Sequence, residues 1–272
     1  RRCRQRIMPE GSWDWSIAVP LSQGWKIGRR IFVGGQISAD KAGSPVHVGD
    51  LDAQTRNIYD YIGQILSDAG ASFADLLRIK ICFKYDSADP STGQAFVDRI
   101  MEVAQDYIKG PAPVITAFAV DLLYPGLDLE IDAMAIVDSD TKVLAPRELG
   151  GRYQPSVFSD GVMADGEIYV GGQTALGSDG LVLFPDDFPE QVKEVFHRLE
   201  KVLAEADASL DDVVKLNLFI VAEDSEVEGR FHQACQAWAQ ICPNSHPAIT
   251  PVRVHELPKS GLLFQADCVA VK

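Results

Sequence analysis

The stretch FVGGQ at residues 32–36 returns as YVGGQ at residues 169–173, 137 positions further along the chain. Three more pairs of similar stretches follow at intervals of 137, 134 and 135 positions: AGAS (69–72) with ADAS (206–209), PVIT (113–116) with PAIT (247–250), and EIDA (130–133) with QADC (265–268). A fixed internal period defines the unit of folding. Because this period has the length of a small domain, the sequence predicts two tandem units of one fold.

Composition is that of two globular units. The 272 residues are 46% hydrophobic and 24% charged, which is enough apolar surface for two cores. No apolar run approaches the ~18 residues that a membrane crossing needs, so no membrane contact is expected. The net charge of −14 repels phosphate backbones and argues against nucleic acid as a partner. Five cysteines without paired spacings favour a reducing, cytoplasmic location.

Hydrophobic periodicity predicts the same order of elements in both copies. In the first copy the predicted elements are a strand at 30–37, a helix at 48–70, a strand at 76–85, a helix at 94–108 and strands at 113–122 and 127–137. In the second they are a strand at 166–174, a helix at 188–206, a strand at 213–221, a helix at 227–241 and strands at 247–257 and 261–271. Each copy is therefore expected to be an α+β unit, a mostly antiparallel sheet with two helices on one face.

Three segments follow from this order. The first domain is expected at residues 1–140 and the second at 150–272, with residues 141–149 as a polar linker that contains Pro146. The basic start, residues 1–8, is given no structural role.

Each unit resembles the RidA/YjgF family, which includes enamine/imine deaminases and proteins once labelled as ribonucleases. The resemblance rests on LSQG (21–24) leading into VGGQ (33–36), on LSDAGAS (66–72), and on the PVIT and EIDA stretches. FSDG (158–161) leads into VGGQ in the same way in the second copy. The resemblance covers nearly the whole chain.

The resemblance implies a chorismate-mutase-like fold, no cofactor, and ligand clefts between neighbouring units of a trimer. Two units in one chain cannot close a ring of three. We therefore expect three chains to supply six units, as a homotrimer that binds a small-molecule substrate.

The cleft residues depart from the family pattern. The arginine that grips a substrate carboxylate is replaced by Ile115 in one copy and Ile249 in the other. The family tyrosine becomes Leu21 and Phe158, and the serine before Gly-Gln becomes Gly34 and Gly171. The late glutamate survives as Glu130 but is Gln265 in the second copy.

Glu130 is the candidate catalytic residue. We expect it at the edge of an apolar cleft lined by Ile115, Leu21 and Phe32, where desolvation raises the pKa of a carboxylate and suits it to acid–base work near neutral pH. Backbone amides at Gly34 and Gly35 could hold a ligand closely. The alternative is a structural glutamate satisfied by an arginine or by a neighbouring subunit.

The second cleft is predicted to have another role, because Gln265 cannot act as an acid or a base. Gly171, Ile249 and Phe158 would line this half, which is either a structural partner or a second binding cleft. Arg253 shares the alternation face of Ile249 and could replace the missing guanidinium. A solvated strand end is the alternative for Arg253.

A metal site is not expected. His232, Cys235, Cys242 and His246 are residue types that zinc accepts, but their spacing is not a standard zinc pattern and the first copy has no counterpart. Cysteine on a helix is usually a buried small hydrophobe.

Three functions remain open. The first is hydrolysis of a reactive enamine or imine of a small, apolar or ring-derived metabolite, with Glu130 as acid and base. The second is a non-catalytic module that binds small molecules or a protein in the same clefts. The third, a ribonuclease, is disfavoured by the acidic charge. The loss of the family arginine favours a substrate that is less anionic than an amino-acid imine.

Overall fold

The first unit contains a six-stranded sheet. The computed structural model describes residues 3–15, 17–86, 88, 92–149 and 157–272. In chain order the strands of the first unit are β1 (Arg4–Ile7), β2 (Gly24–Ile27), β3 (Arg30–Gln36), β4 (Leu76–Lys84), β5 (Val114–Val120) and β6 (Leu129–Ile136). They lie in the order β1-β2-β3-β6-β4-β5. Strands β4 and β5 run parallel, and the other neighbouring pairs run antiparallel.

The second unit repeats this sheet. Its strands are β7 (Lys142–Leu144), β8 (Gly161–Ala164), β9 (Glu167–Thr174), β10 (Val213–Val221), β11 (Ala248–Val254) and β12 (Phe264–Val271). They lie in the order β11-β10-β12-β9-β8-β7, which is the first sheet read from its other edge. Strands β10 and β11 form the parallel pair. Every strand of one unit therefore has a counterpart in the other.

Two helices in each unit cover one face of its sheet. They are α1 (Leu51–Asp68) and α2 (Thr92–Tyr107) in the first unit, and α3 (Phe188–Ala204) and α4 (Val227–Ile241) in the second. Helix α1 begins at Asp50, whose carboxylate accepts a hydrogen bond from the Ala53 amide at 3.0 Å. Helix α3 begins in the same way at Asp187, with the Glu190 amide at 3.1 Å. Side-chain caps of this kind satisfy amides that the first helical turn leaves unbonded.

The predicted fold class is confirmed, because each unit is α+β with a mostly antiparallel sheet. Its core lies between the sheet and the two helices. Ile58 and Ile62, one helical turn apart on α1, pack with alternate residues of β4 such as Ile79 and Ile81. The helical and strand periods therefore bring two apolar faces together, and their burial is the main stabilising term.

The expectation that residues 1–8 have no structural role was wrong. Residues 4–7 form β1, which pairs antiparallel with β2, and Ile7 is buried in the first core. The sequence RQRI does not show the apolar alternation of a strand, because it has only one apolar position. Strand β1 lies at the edge of the sheet, where charged side chains are common. The counterpart β7 falls inside the predicted linker 141–149, where Leu144 and Leu149 belong to the second core.

The two units meet through the sheet faces that the helices leave uncovered. We call the contact of β5 with β9, β10 and β12 the internal junction. The rings of Phe118 and Phe219 stack across it with centroids 4.6 Å apart. At its end the Ala119 amide donates to the Glu256 carbonyl at 2.8 Å, and the His255 amide donates to the Ala119 carbonyl at 3.1 Å. The junction is heterologous, because different surfaces of the two units meet.

Candidate active site

Glu130 lies on the face of the first sheet that the helices do not cover. Its neighbours Leu129 and Ile131 are buried in the core, so strand alternation turns Glu130 to the opposite face. There it stands beside Cys82, its partner on β4. The side chain of Glu130 is half-buried.

Gly35 provides the space that the Glu130 carboxylate occupies. A Cβ atom at residue 35 would overlap the Oε1 atom of Glu130, so no other residue type fits here without moving the carboxylate. The sheet is irregular at this place, since the register of β3 against β6 shifts between Val33 and Gln36. Such bulges often re-aim side chains beside a site. Gly34 donates its amide to the Gln23 carbonyl at 2.9 Å, which fixes the segment.

The electrostatics of this face favour a protonated Glu130. Burial raises the pKa of Glu130, and the neighbouring charge of Asp132 raises it further. Burial also raises the pKa of the Cys82 thiol to about 12, with a further contribution from Glu130, so the thiol stays neutral and is a poor nucleophile. Lys80 lies 3.7 Å from Asp132 and balances part of the negative charge. Glu130 is thus the group on this face suited to proton transfer.

The counterpart of this site, at Gln265 and Gly172, is filled by protein. The Gln265 Nε2 atom donates to the Ala117 carbonyl across the internal junction at 2.9 Å, and both groups are buried. A Cβ atom at Gly172 would overlap Gln265, which repeats the relationship of Gly35 to Glu130. A Cβ atom at Gly171 would lie 2.9 Å from the Ile115 carbonyl oxygen, so the two backbones touch. This half is therefore a structural contact.

A hydrogen-bond chain completes the internal junction. The Thr116 hydroxyl donates to the Asp267 carboxylate at 2.7 Å and accepts from the Gly172 amide at 3.1 Å. Asn217 donates to the other oxygen of Asp267 at 2.6 Å. Burial raises the pKa of Asp267, while these donors and nearby Arg78 and Lys80 lower it. The sequence analysis did not single out these residues. The only sign of them is that both copies keep a Thr in PVIT and PAIT and an Asp in EIDA and QADC.

The two isoleucines do not line a cleft. Ile115 points into the core of the first unit, on the opposite sheet face from Glu130, and its backbone rather than its side chain meets the second unit. Ile249 packs against the core of the second unit. The prediction that Ile115 and Glu130 share one cleft was wrong, because in PVIT the residues that face the junction are Val114 and Thr116.

Three aromatic or apolar candidates have separate positions. Phe32 is exposed on the same sheet face as Glu130, because its neighbours Ile31 and Val33 point to the core. Leu21 packs against a smaller cluster that contains Trp13 and Ile37, at the edge of the first unit. Phe158 is buried in the core of the first unit, although in the chain it lies between β7 and β8 of the second sheet. Phe158 therefore joins the units instead of lining a second cleft.

Arg253 has its own partners and does not replace the family arginine. It donates to the Ala222 carbonyl at 2.8 Å and pairs with Asp224. Arg253 and Ala222 line a cavity of about 420 Å³ beside the internal junction. At its rim His255 stacks on Tyr85, with ring centroids 4.6 Å apart. Glu130 is not part of this cavity.

The candidate zinc ligands do not assemble. Cys242 is buried and its thiol donates to Asp211 at 3.0 Å, in agreement with a packing role. No group of three or more metal-binding side chains comes together in the described part of the chain. Within the same residues, no helix has both the length and the apolar run that a bilayer crossing requires.

Comparison with known families identifies the repeat. The sequence model of the Endoribonuclease L-PSP family matches the chain twice, over residues 15–137 and 153–272. The chain belongs to this family, also known as RidA/YjgF, as a tandem member. Each match covers one of the two units apart from its edge strand, β1 in the first and β7 in the second.

Several single-unit RidA/YjgF proteins resemble one half of the chain. The 3-aminoacrylate deaminase RutC of Acinetobacter baylyi is 31% identical over 135 residues, which is 49% of this chain and 98% of that protein. A RutC family protein of Pyrococcus abyssi is 32% identical over 116 residues, covering 43% and 85%. The 2-iminobutanoate/2-iminopropanoate deaminase of Mus musculus is 26% identical over 117 residues, covering 43% and 81%.

Solved structures of RidA/YjgF proteins also align with one half. Yeast Mmf1 shares 25% identity and a TM-score of 0.42, over 48% of this chain and 98% of its own. A Mycobacterium tuberculosis member of the YjgF/YER057c/UK114 family shares 22% identity and a TM-score of 0.41, over 49% and 100%.

Proposed function

We propose that the protein hydrolyses the C=N bond of a small imine, including an imine formed from an enamine, with Glu130 as the acid and base. The observation that supports this is the Glu130 carboxylate, half-buried against Gly35 with a raised pKa. Relatives named as 3-aminoacrylate and 2-iminobutanoate/2-iminopropanoate deaminases make the same reaction class the natural one for this family.

The chemistry needs one proton donor that becomes a base. Protonated Glu130 gives its proton to the imine nitrogen, or to the carbon of an enamine, which makes the C=N carbon electrophilic. The resulting carboxylate accepts a proton from the water that attacks this carbon. Glu130 then gives this proton to the amino nitrogen of the tetrahedral adduct and takes the proton of its hydroxyl group, so that collapse breaks the C–N bond and releases ammonia and a carbonyl compound. Imine and water are consumed in equal amounts, and Glu130 is regenerated.

The substrate is a small apolar or ring-derived imine. Phe32 is exposed on the sheet face of Glu130, and the neutral thiol of Cys82 stands beside it. The family arginine that would bind a carboxylate is absent from both PVIT and PAIT. An uncharged substrate therefore fits this face better than an amino-acid imine.

The chains assemble as a homotrimer of six units in a reducing compartment such as the cytoplasm. Heterologous contacts close into a ring when their rotation allows it. The five cysteines are all free, which suits a reducing compartment. A particle of three times 29.7 kDa in native mass spectrometry is the expected result, and any other dominant mass contradicts this stoichiometry.

A non-catalytic binding module is the second candidate. Phe32 favours it, because this exposed ring on the sheet face of Glu130 offers an apolar surface to a ligand whether or not Glu130 acts on that ligand. The name of the family model suggests a ribonuclease, but the net charge of −14 gives RNA no electrostatic attraction.

The deciding experiment measures ammonia released from short-lived imines generated in situ, both aliphatic and aromatic. Wild type is compared with Glu130→Gln and with Glu228→Gln, which changes an exposed glutamate on α4. We expect acceleration by wild type and by Glu228→Gln, and loss in Glu130→Gln. If wild type releases ammonia at the uncatalysed rate from every substrate, the binding module replaces the hydrolase.

A further inference from the structure

The helix layer of the first unit contains an open cavity of about 600 Å³, which we call the helix-face cavity. It runs along α1, where Asp60, Gly63 and Ser67 recur at intervals of three or four residues and so share one face of the helix. The rings of Phe73 and Tyr107 complete its wall. Because Glu130 lies on the sheet face that the helices do not cover, the helix-face cavity is separate from the candidate active site.

Tyr59 lines this cavity and carries a hydroxyl group without a hydrogen-bond partner. Its side chain is 0% exposed, and no described residue donates to the hydroxyl or accepts from it. Its ring stacks on that of Tyr107 with centroids 5.1 Å apart, and it meets the ring of Phe73 edge-on at 6.1 Å. An unpaired buried hydroxyl destabilises a fold, so its presence points to a ligand that completes it.

The second unit shows that the fold does not need this hydroxyl. At the 137-residue interval of the repeat, Phe196 takes the place of Tyr59 and is fully buried in the second core. His197 takes the place of Asp60. The hydroxyl and the neighbouring carboxylate are therefore particular to the first unit, although both units have the same fold.

Gly63 shapes the wall of the cavity. A glycine inside a helix lowers the stability of the helix, and this one lies in the middle of α1. A Cβ atom at residue 63 would lie 3.2 Å from the Phe73 ring, closer than an ordinary contact. The glycine therefore lets this ring lie against the helix, whereas the second unit has Glu200 at the equivalent position.

The helix-face cavity is negatively charged. Glu10, Asp60 and Asp68 line it, and none of the described residues that line it is lysine, arginine or histidine. The Tyr107 hydroxyl donates to the Asp60 carboxylate at 3.0 Å, which orients this carboxylate beside the aromatic rings. Carboxylates attract a cation by charge, and the faces of aromatic rings attract it through their quadrupole.

We propose that the helix-face cavity binds a small primary amine in its ammonium form, with an apolar or aromatic body. The ammonium group donates to the Tyr59 hydroxyl oxygen and faces Asp60, while the body of the ligand lies against the rings of Phe73 and Tyr107. Since water does not reach the Tyr59 hydroxyl, the half-buried Tyr107 ring turns outward slightly as the ligand enters. An anionic ligand would instead face three carboxylates.

The protonation state of Tyr59 suits this role. Burial raises the pKa of Tyr59 well above that of an ordinary tyrosine, so the hydroxyl stays neutral and its oxygen can accept from the ammonium group. The binding requires no catalytic step and is independent of imine hydrolysis.

The ligand class is tested by isothermal titration calorimetry on the full chain, in phosphate buffer because Tris is itself an amine. The probe is 2-phenylethylamine, and 2-phenylethanol and 3-phenylpropanoate carry the same ring with no charge and with a negative charge. We expect the amine to bind at least about tenfold more tightly than either, and its affinity to fall as salt is added. Equal affinity for the alcohol, or no binding at about 10 mM amine, overturns the proposal.

The place of binding is tested by removing single hydroxyl groups from α1. Tyr59→Phe introduces the residue that the second unit has at this position. It is expected to weaken amine binding about tenfold and to leave the melting temperature unchanged or higher. Tyr61→Phe is the matched control, since the Tyr61 hydroxyl already donates to the Ala39 carbonyl at 2.7 Å. This control should bind the amine like wild type and melt at a lower temperature, and unchanged binding in Tyr59→Phe overturns the site.

The charge is tested in the same way. Asp60→Asn keeps an acceptor for Tyr107 and is expected to weaken amine binding about threefold. Glu205→Gln removes a negative charge at the counterpart of Asp68 in the second unit and should leave binding unchanged. Equal weakening in both variants would mean that the amine responds only to net charge, and would overturn the site.

Two further outcomes would assign the binding elsewhere. Loss of amine binding in Glu130→Gln would place the amine in the candidate active site and overturn the proposal, without bearing on imine hydrolysis. A blocked oligolysine peptide that binds more tightly than 2-phenylethylamine, with the same losses in Tyr59→Phe and Asp60→Asn, would assign the cavity to a protein partner and overturn the small ligand.

Discussion

Arg30 and Glu167 occupy the same position in the two units, and their side chains form a two-bonded ion pair with N–O distances of 2.6 and 2.7 Å. The hydrogen bonds from Arg30 hold the pKa of Glu167 below its usual range. Identical units related by symmetry would bring like residues together at this place. The repeat has therefore diverged so that equivalent positions carry opposite charge.

The first prediction concerns this ion pair. Glu167→Gln is expected to lower the free energy of unfolding by about 1 kcal/mol after solvent screening, because a two-bonded pair is partly shielded. The folded-state pKa of Glu167 is depressed, so its contribution is present above the unfolded pKa and is lost as pH falls through the folded pKa. Urea unfolding at several pH values measures this.

A double-mutant cycle that combines Glu167→Gln with Arg30→Ala gives the interaction free energy of this pair alone. The exposed pair of Arg99 and Asp52 is the control and should couple more weakly. Equal coupling at both places, or no pH dependence for Glu167→Gln, would contradict the prediction.

The second prediction is the pH profile of imine hydrolysis. Burial and the charge of Asp132 raise the pKa of Glu130. The part of the rate–pH curve that follows the ionisation of Glu130 should therefore have its midpoint at a higher pH than the pKa of an ordinary glutamate. Asp132→Asn removes a neighbouring negative charge and should move this midpoint to lower pH. Glu130→Gln should reduce the rate at least about 100-fold. A midpoint that stays fixed in Asp132→Asn would mean that another group is titrating.

The third prediction concerns the sealed contact. Gln265→Glu should destabilise the folded chain by about 2 kcal/mol, because an ionised carboxylate cannot donate to the Ala117 carbonyl and would be buried beside it. The loss should be smaller at acid pH, where the carboxyl is protonated and can donate. Gln236→Glu, at an exposed position on α4, is the control for the added charge. Thermal unfolding of both variants at two pH values decides this.

The fourth prediction compares two counterpart glycines. Gly171→Ala places a Cβ atom 2.9 Å from the Ile115 carbonyl oxygen and should weaken the internal junction, at a cost of about 1–3 kcal/mol. In Gly34→Ala the new Cβ atom would lie 3.4 Å from the Gln23 carbonyl oxygen, an ordinary contact distance. This variant should therefore lose much less unfolding free energy when chains are isolated from one another. Unfolding of the two variants at a concentration that keeps chains apart is the measurement, and equal losses would refute the contrast.

Much of the fold was predictable from sequence because its elements are strongly periodic. The strand predicted at 76–85 is Leu76–Lys84, and the helix predicted at 227–241 is Val227–Ile241. Apolar alternation decides the first, and apolar residues recurring with the helical period decide the second. Strand β1 was missed because an edge strand needs only one apolar side chain, here Ile7.

The site was predictable only in part. Gly35 and Glu130 were expected together and do lie together, on the neighbouring strands β3 and β6. Ile115 lies on the other face of the sheet. Strand alternation in PVIT already indicated that Thr116, not Ile115, faces away from the core. The meeting of Thr116 with Asp267 could not be predicted, because these residues are 151 positions apart in sequence and their contact depends on how the two domains pack together.

The filled contact at Gln265 has a consequence for how such a chain can evolve. An assembly built from one kind of unit repeats every substitution at every interface, so a change that strengthens one contact while abolishing its chemistry does so everywhere at once. Covalent duplication removes that constraint. In this chain a glutamine fastens the contact between the two units, while a glutamate is retained at the equivalent position on the free face of the first sheet, so the two positions can change separately.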